Sequence, residues 1–215
     1  MSSTKSIILS CAGIGSRLGL GQTKALININ GKALIAWQLE TLKDVEDIRI
    51  VVGYQANDVI SEVLKYRNDV TFVYNHRYFE TKTGASFYLG ARHANEYVIE
   101  WDGDLLVHPE DVQKVLSTNG EFICYSDKTS DEAVFVNIDE NGCVKSFDRE
   151  MGDYEWTGPA CIKKDRLNYS SGNVFNQLEP YLPMRGIKIR AYDIDTYQDY
   201  VNVSKIVSTW NIRNS

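Results

Sequence analysis

The chain has 215 residues, with 29 acidic against 23 basic side chains and a formal net charge of −6. That length suits one well-packed α/β domain over residues 1–215, and the acidic balance argues against the basic stripe of a nucleic-acid-binding surface. Four scattered cysteines without C-x-x-C spacing exclude a zinc site or a disulfide framework; no apolar run reaches the ~20 residues of a membrane span, so a cytoplasmic protein is expected.

The first element is a short apolar strand, Ser6–Ser10, and it runs into the loop Ser10-Cys11-Ala12-Gly13-Ile14-Gly15-Ser16-Arg17-Leu18-Gly19-Leu20-Gly21-Gln22-Thr23-Lys24. Glycines at 13, 15, 19 and 21 let the backbone turn tightly and bring bare N–H groups close to an anion, while Arg17 and Lys24 add charge. The loop therefore reads as a polyphosphate cradle. It is not a Walker loop, because Gly21 is followed by Gln22-Thr23-Lys24 rather than Lys and Ser or Thr. Nor is it a dinucleotide fingerprint, since Leu18 stands where a small residue is needed and the next strand ends in Val51-Val52-Gly53-Tyr54 without an acid.

Further along, Ile48–Val52, Val70–Tyr74 and Tyr97–Trp101 have the short, β-branched and aromatic character of strands, whereas Leu34–Leu42, Asp58–Lys65 and Ser86–His93 place apolar residues at helical spacing. Strand and helix in alternation imply βαβ units, a parallel and largely buried sheet, and ligands at the carboxyl ends of its strands. Glu100-Trp101-Asp102-Gly103-Asp104 lies at such an end, and in extended chain Asp102 and Asp104 share a face and can meet one cation, with a solvated acidic turn as the plain alternative. Past Ser126 the pattern becomes Ala133–Ile138, an Asn141-Gly142 turn and Cys143–Phe147, which is a hairpin signal. Glu150–Ser171, polar, aromatic and glycine-dotted, is expected to form a substrate-facing lid. A last strand, Ile187–Tyr192, then precedes the acidic run Asp193-Ile194-Asp195-Thr196 and a terminal helix over roughly 198–212, with Val203, Ile206, Val207 and Trp210 on one face. Thr196 or Asp195 also suits a helix cap, with Asp199 in the first turn.

The run Ala-Gly-x-Gly-x-Arg-Leu followed by Lys24 resembles the signature of the sugar-nucleotide and MobA-like nucleotidyltransferases, with Thr23 where that family usually has proline before its lysine. The resemblance extends from Ile7 to Tyr200, with the motifs in the family's order. It implies a Rossmann-like, mostly parallel α/β sheet flanked by helices, with an antiparallel edge hairpin and an acceptor-binding lid at about 127–185. In shortness and in the Asp102-Gly103-Asp104 strand end the chain is most like the small bacterial cytidylyltransferases, which act on acceptors such as phosphocholine or phosphoglutamine in capsule and cell-surface pathways.

That resemblance assigns Ala12, Gly13, Ile14, Gly15, Ser16, Arg17, Lys24, Gly53, Thr83, Gly84, Ala85 and Asp102 to nucleotide binding, with CTP the favoured nucleotide. Arg17, Lys24 and Asp104 are the expected catalytic residues. Mg²⁺ is the expected cofactor, held by Asp104 with Asp102 and with Asp193 or Asp195. Thr83 and Ser86 serve equally as caps of the helix that follows. Glu155, Trp156 and Gly158 resemble the acceptor strand, where an aromatic and a carboxylate suit an ammonium-bearing phosphorylated acceptor, core packing being the other reading of Trp156. Two alternatives accompany this reading: transfer of a uridylyl, thymidylyl or guanylyl group to a hexose 1-phosphate, and a nucleotide-binding sensor without turnover.

Overall fold

Apolar residues alternate along the first strand so tightly that both of its faces are closed to water: Ile7 and Leu9 on one side and Ile8 on the other are each 0% exposed. A strand buried on two faces needs helices above and below it. The structure, a computed structural model describing residues 4–15, 21–129 and 133–210, supplies them. In chain order the elements are β1 (Lys5–Cys11), β2 (Asn28–Ile29), β3 (Lys32–Ala33), α1 (Leu34–Thr41), β4 (Asp47–Val52), α2 (Ala56–Val63), β5 (Thr71–Tyr74) and α3 (Thr83–Ala91). There follow β6 (Tyr97–Asp102), β7 (Leu105–Val107), α4 (Pro109–Ser117), β8 (Phe122–Ser126), β9 (Phe135–Ile138), β10 (Cys143–Asp148), β11 (Tyr154–Lys163), α5 (Val174–Leu178), β12 (Met184–Lys188), β13 (Ala191–Asp193) and α6 (Tyr197–Val207).

The main sheet runs β5-β4-β1-β6-β11-β8-β12-β10-β9. Its first four strands are mutually parallel, as the βαβ rhythm predicts. Beyond β6 the sheet is mixed: β11 is antiparallel to both β6 and β8, β12 is parallel to β8, and β10 and β9 close the edge as the expected hairpin. β9 also pairs with the start of β11, so this edge curls back on itself. On one face α1, α2 and α4 bury Ile35, Leu39, Val59, Val63, Val112 and Val115 against the sheet. On the other, α3 and α5 contribute Phe87, Ala91, Val174 and Leu178. α6 packs Val203 and Val207 with Ile29 and Leu34 to one side. Among the described residues no helix is long and apolar enough to cross a membrane.

Two expectations are corrected. The segment read as a lid, Glu150–Ser171, instead supplies β11, which sits in the middle of the sheet with Ala160, Cys161 and Ile162 fully buried. The β pattern is masked there because the pairing with β8 shifts register between Trp156 and Ala160, where Gly158 takes a positive φ of 57° ahead of Pro159. The single last strand Ile187–Tyr192 is two strands in two sheets, β12 beside β8 and β13 beside β7. The break is at Arg190, whose backbone N–H and guanidinium both donate to Asp111 at the start of α4 (2.9 and 2.7 Å), while His108 N donates to Arg190 O. Helix limits also move. α3 begins at Thr83 rather than Ser86, α2 lies two residues earlier, and α6 ends at Val207, the last of its expected residues falling outside the described chain.

Gly90 shows how closely α3 lies on the sheet, since a Cβ there would sit 2.4 Å from Ile8 Cγ2 and 2.9 Å from Val51 Cγ2. In an open helix Gly→Ala gains about 1 kcal/mol, but overpacking costs about 1–3 kcal/mol, so the sign reverses here. Gly90→Ala is therefore expected to lower the urea midpoint at unchanged slope, and an unchanged or higher midpoint would contradict this packing.

Candidate active site

The parallel strands β1 and β6 lie side by side with Ser10 opposite Asp102, so the loop after β1 and the turn after β6 leave the sheet at the same level. That turn is fixed by three hydrogen bonds, from α1 and to β1. Gln38, buried on α1, donates from Nε2 to Asp102 O and Leu105 O, both at 2.8 Å. Gly103 N donates to Ser10 O at 3.1 Å, and a Cβ on Gly103 would lie 2.6 Å from that oxygen. Only glycine lets Asp102 and Asp104 flank β1 so closely.

β13 brings up the second acidic group. It pairs antiparallel with β7, setting Asp193 opposite Leu105. Lys24 joins the two groups: its ammonium donates to Asp104 Oδ2 at 2.6 Å and also to Asp195 Oδ1. The Lys24 side chain is 11% exposed. Burial by itself would lower its pKa, but the Asp104 and Asp195 carboxylates outweigh that and raise it. Thr196 and Asp199 form a reciprocal capping box at the start of α6, so neither Asp193 nor Asp195 is needed as a cap.

The remaining acids are held away from their ordinary range. Glu100 is 0% exposed, and its carboxyl lies against that of Asp102. Desolvation, then the neighbouring Asp102, pushes its pKa well up. Desolvation followed by Asp104 raises Asp102 to about 7 and Asp193 well above the carboxylate range.

Two clefts meet at this cluster. The first, of about 250 Å³, is lined by Ala12, Gly13, Gly15, Lys24, Thr83, Ser86, Asp102 and Asp104, together with Asn75 and Tyr78. Ile14 lies within the same loop, whereas Ser16 and Arg17 fall outside the described residues. Gly15, at φ 67°, approaches Gln22 O and the Lys24 side chain so closely that a Cβ would sit 3.0 and 3.1 Å from them. Gln55 Oε1 accepts from Thr23 N at 2.8 Å and secures the other end of the loop.

Gly53 supports this loop from beneath: an added Cβ would be 2.9 Å from Ala12 O. Thr83 borders both clefts, and its hydroxyl accepts from Val174 N at 3.3 Å rather than capping α3; Ser86 accepts from Asn75 Nδ2 at 3.1 Å and caps nothing either. Gly84 allows Gly172 O to come within 2.7 Å of its would-be Cβ, and Ala85 is buried in the core.

The second cleft, about 510 Å³, has Asp102, Asp104, Asp193 and Asp195 on one side and Arg149, Trp156, Thr157, Asn173 and Phe175 around the rest. Trp156 packs edge-on against Phe147 at 5.4 Å, and the Arg149 guanidinium lies 5.2 Å over the Phe175 ring. Glu155 does not itself line this cleft; its carboxylate accepts from Thr129 N (2.7 Å) and Thr129 Oγ1 (3.0 Å), close enough to Asp193 to help raise that acid's pKa. Gly158 lies beneath, beside Glu100. Sequence reasoning missed Gln38, Asn75 and Arg149. Gln38 was detectable, being the polar residue on the apolar face of α1 beside Leu34 and Leu42.

A glycine-rich loop, a lysine and converging carboxylates at strand carboxyl ends define a nucleotide-handling class of α/β protein. The model of the MobA-like NTP transferase domain matches residues 7–155, and the chain belongs to that family. The choline-phosphate cytidylyltransferase of Streptococcus pneumoniae is 30% identical over 96% of this chain and 100% of that protein. The protein is a nucleotidyltransferase. Its fold is shared by many solved structures, of which two serve as examples. The inositol-1-phosphate CTP transferase from T. maritima has a TM-score of 0.83 at 18% identity, covering 100% of this chain and 98% of the other. The CTP:phosphocholine cytidylyltransferase of Streptococcus pneumoniae has a TM-score of 0.73 at 22% identity, over 95% and 99%.

The raised acids give a signed pH dependence. Glu100, Asp102 and Asp193 bind more protons folded than unfolded once pH exceeds about 4, so the stability they contribute is present below that pH and lost as pH rises, for Asp102 through about 7. The urea midpoint of protein stripped of divalent cations should fall between about pH 5 and pH 7.5, and Glu100→Gln should flatten that fall. A midpoint rising with pH would contradict the assignment.

Proposed function

We propose that the protein transfers a cytidylyl group from CTP to a small phosphorylated acceptor, phosphocholine- or phosphoglutamine-like, and releases pyrophosphate, serving capsule or cell-surface polysaccharide modification. The observation that carries this reading is Lys24 set between Asp104 and Asp195 where the two clefts meet. The full-length likeness to a cytidylyltransferase supports the choice of CTP.

The loop amides at 12–15 and Arg17 would hold the β- and γ-phosphates, and Lys24 would face the α-phosphate, where charge develops. Asp104 and Asp195 are the proposed ligands of Mg²⁺, with Asp102 or Asp193 beside them; the donor set fits, because that ion takes one or two carboxylates and completes its shell with phosphate and water oxygens. When bound it would neutralise charge on the phosphates. No general base is required, since an acceptor phosphate with a second pKa of about 6 is already largely ionised. In the second cleft, Trp156 and Phe175 would flank the acceptor's body, and Arg149, which makes no ion pair among the described residues, would meet an anionic group on it.

Pyrophosphate release is the decisive measurement, with CTP, UTP, dTTP, ATP and GTP each offered phosphocholine, phosphorylated amino acids and hexose 1-phosphates. Turnover with CTP and a non-sugar acceptor is expected. Turnover confined to UTP or dTTP with a hexose 1-phosphate would overturn the cytidylyl reading, and nucleotide binding without release would make the protein a sensor. Asp104→Asn should abolish turnover with the fold intact. Lys24→Met, losing roughly 3 kcal/mol of transition-state contact, should slow it about a hundredfold. For Arg149→Ala a rise of about tenfold in the acceptor KM with little change in kcat is expected, as for a lost charged hydrogen bond; an unchanged KM removes Arg149 from the acceptor site.

A further inference from the structure

Lys24 donates at once to Asp104 and Asp195, the two carboxylates proposed above as ligands of the divalent cation. Its hold is a tight one, being two charge-assisted hydrogen bonds from a compact point charge on a nearly covered side chain. Among the described residues no three acidic, histidine or cysteine side chains converge as a finished metal cage. The two carboxylates are thus engaged by an internal ammonium, with Asp102 and Asp193 lining the same cleft beside them. Mg²⁺ gives up water reluctantly and is ordinarily held by one or two carboxylates together with substrate phosphates, so nucleotide supplies part of the donor set at a site of this kind.

We infer that Lys24 is a gate for the metal: its ammonium stands in for the divalent cation between Asp104 and Asp195, and leaves them only when nucleotide phosphates arrive to receive it. This rests on the nucleotidyl-transfer reading of the site and adds a binding order to it. Metal and nucleoside triphosphate enter together, and free divalent cation is kept out. The exchange also delivers Lys24 to the phosphates at the moment the carboxylates change partner. One side chain therefore serves the empty site and the loaded one.

The test is Mn²⁺ binding, followed by the loss of the free-ion electron paramagnetic resonance signal, on the full chain without nucleotide or acceptor. Wild type should bind weakly. Lys24→Met should bind at least about tenfold more tightly, within the usual range for coupled sites, because two carboxylates are released. Any lost positive charge would help somewhat, so Lys82→Met is the control: Lys82 borders both clefts and, among the described residues, donates no side-chain hydrogen bond to these acids. Its effect should stay within about threefold. Lys24→Met combined with Asp104→Asn should lose the gain. Lys24→Gln, with the same expected direction, covers the case in which Lys24→Met does not fold.

Adding a non-hydrolysable CTP analogue should tighten Mn²⁺ binding more in wild type than in Lys24→Met, closing the gap between them. Equal Mn²⁺ affinity in wild type and the Lys24 variants, or an equal gain in Lys82→Met, overturns the gate. A gain in the Lys24 variants that no nucleoside triphosphate analogue erases overturns the coupling to nucleotide. None of these readouts needs turnover or an acceptor, so a wrong substrate assignment shows in the pyrophosphate assay and leaves the metal measurement standing.

Discussion

The structure depends on one electrostatic problem, the gathering of carboxylates at the ends of β6 and β13. Glu100, Asp102, Asp104, Asp193 and Asp195 come together from two distant parts of the chain, and Lys24 is the cation that ties the two parts. Like charges so close oppose folding unless some are protonated or paired, and both remedies are visible here: raised pKa values at Glu100, Asp102 and Asp193, and the ion pairs at Asp104 and Asp195. Such an arrangement costs stability, and perturbed carboxylates gathered in a cleft are the mark of a functional site rather than of a packed core.

The scaffold answers that demand with rigidity at the points where the carboxylates turn. Gln38 braces two carbonyls of the β6–β7 turn, Gly103 lets that turn lie on the end of β1, and Arg190 redirects the chain out of β12 so that β13 can pair with β7. The loop after β1 is anchored at Tyr54 N, which donates to Ala12 O, and at Gln55. The clefts are thus lined by loops together with α3, α5 and the start of β11, and a buried framework sets their spacing.

The sequence made the βαβ half legible, because buried parallel strands such as Ile7–Leu9 and Ile48–Val52 are apolar runs with few rivals in meaning. The hairpin at Asn141-Gly142 was equally readable from its turn. β11 was not, since Glu155, Thr157, Gly158 and Pro159 interrupt its pattern and a register shift absorbs the interruption. α4 also escaped notice, although Pro109 at its start and Glu110 and Asp111 in its first turn were available signals. Of the site, the glycine loop, Lys24 and the Asp102–Asp104 pair were visible as local patterns. Arg149 was not, because a charged residue after a strand has no distinguishing neighbours in sequence.

By itself, the sequence determined which groups are present: a glycine-rich loop, a lysine beyond it, and two acidic runs, all encoded in short stretches where backbone freedom and charge are properties of the residues themselves. Tertiary structure decided which of these groups meet. Lys24 lies 80 residues from Asp104 and 171 from Asp195, separations over which no local pattern specifies contact. Strand pairing and the bend at Arg190 bring them together. The same long-range packing placed Trp156 at the second cleft and turned Glu155 to Thr129, because successive residues of a strand face opposite ways and only the sheet fixes which face is which.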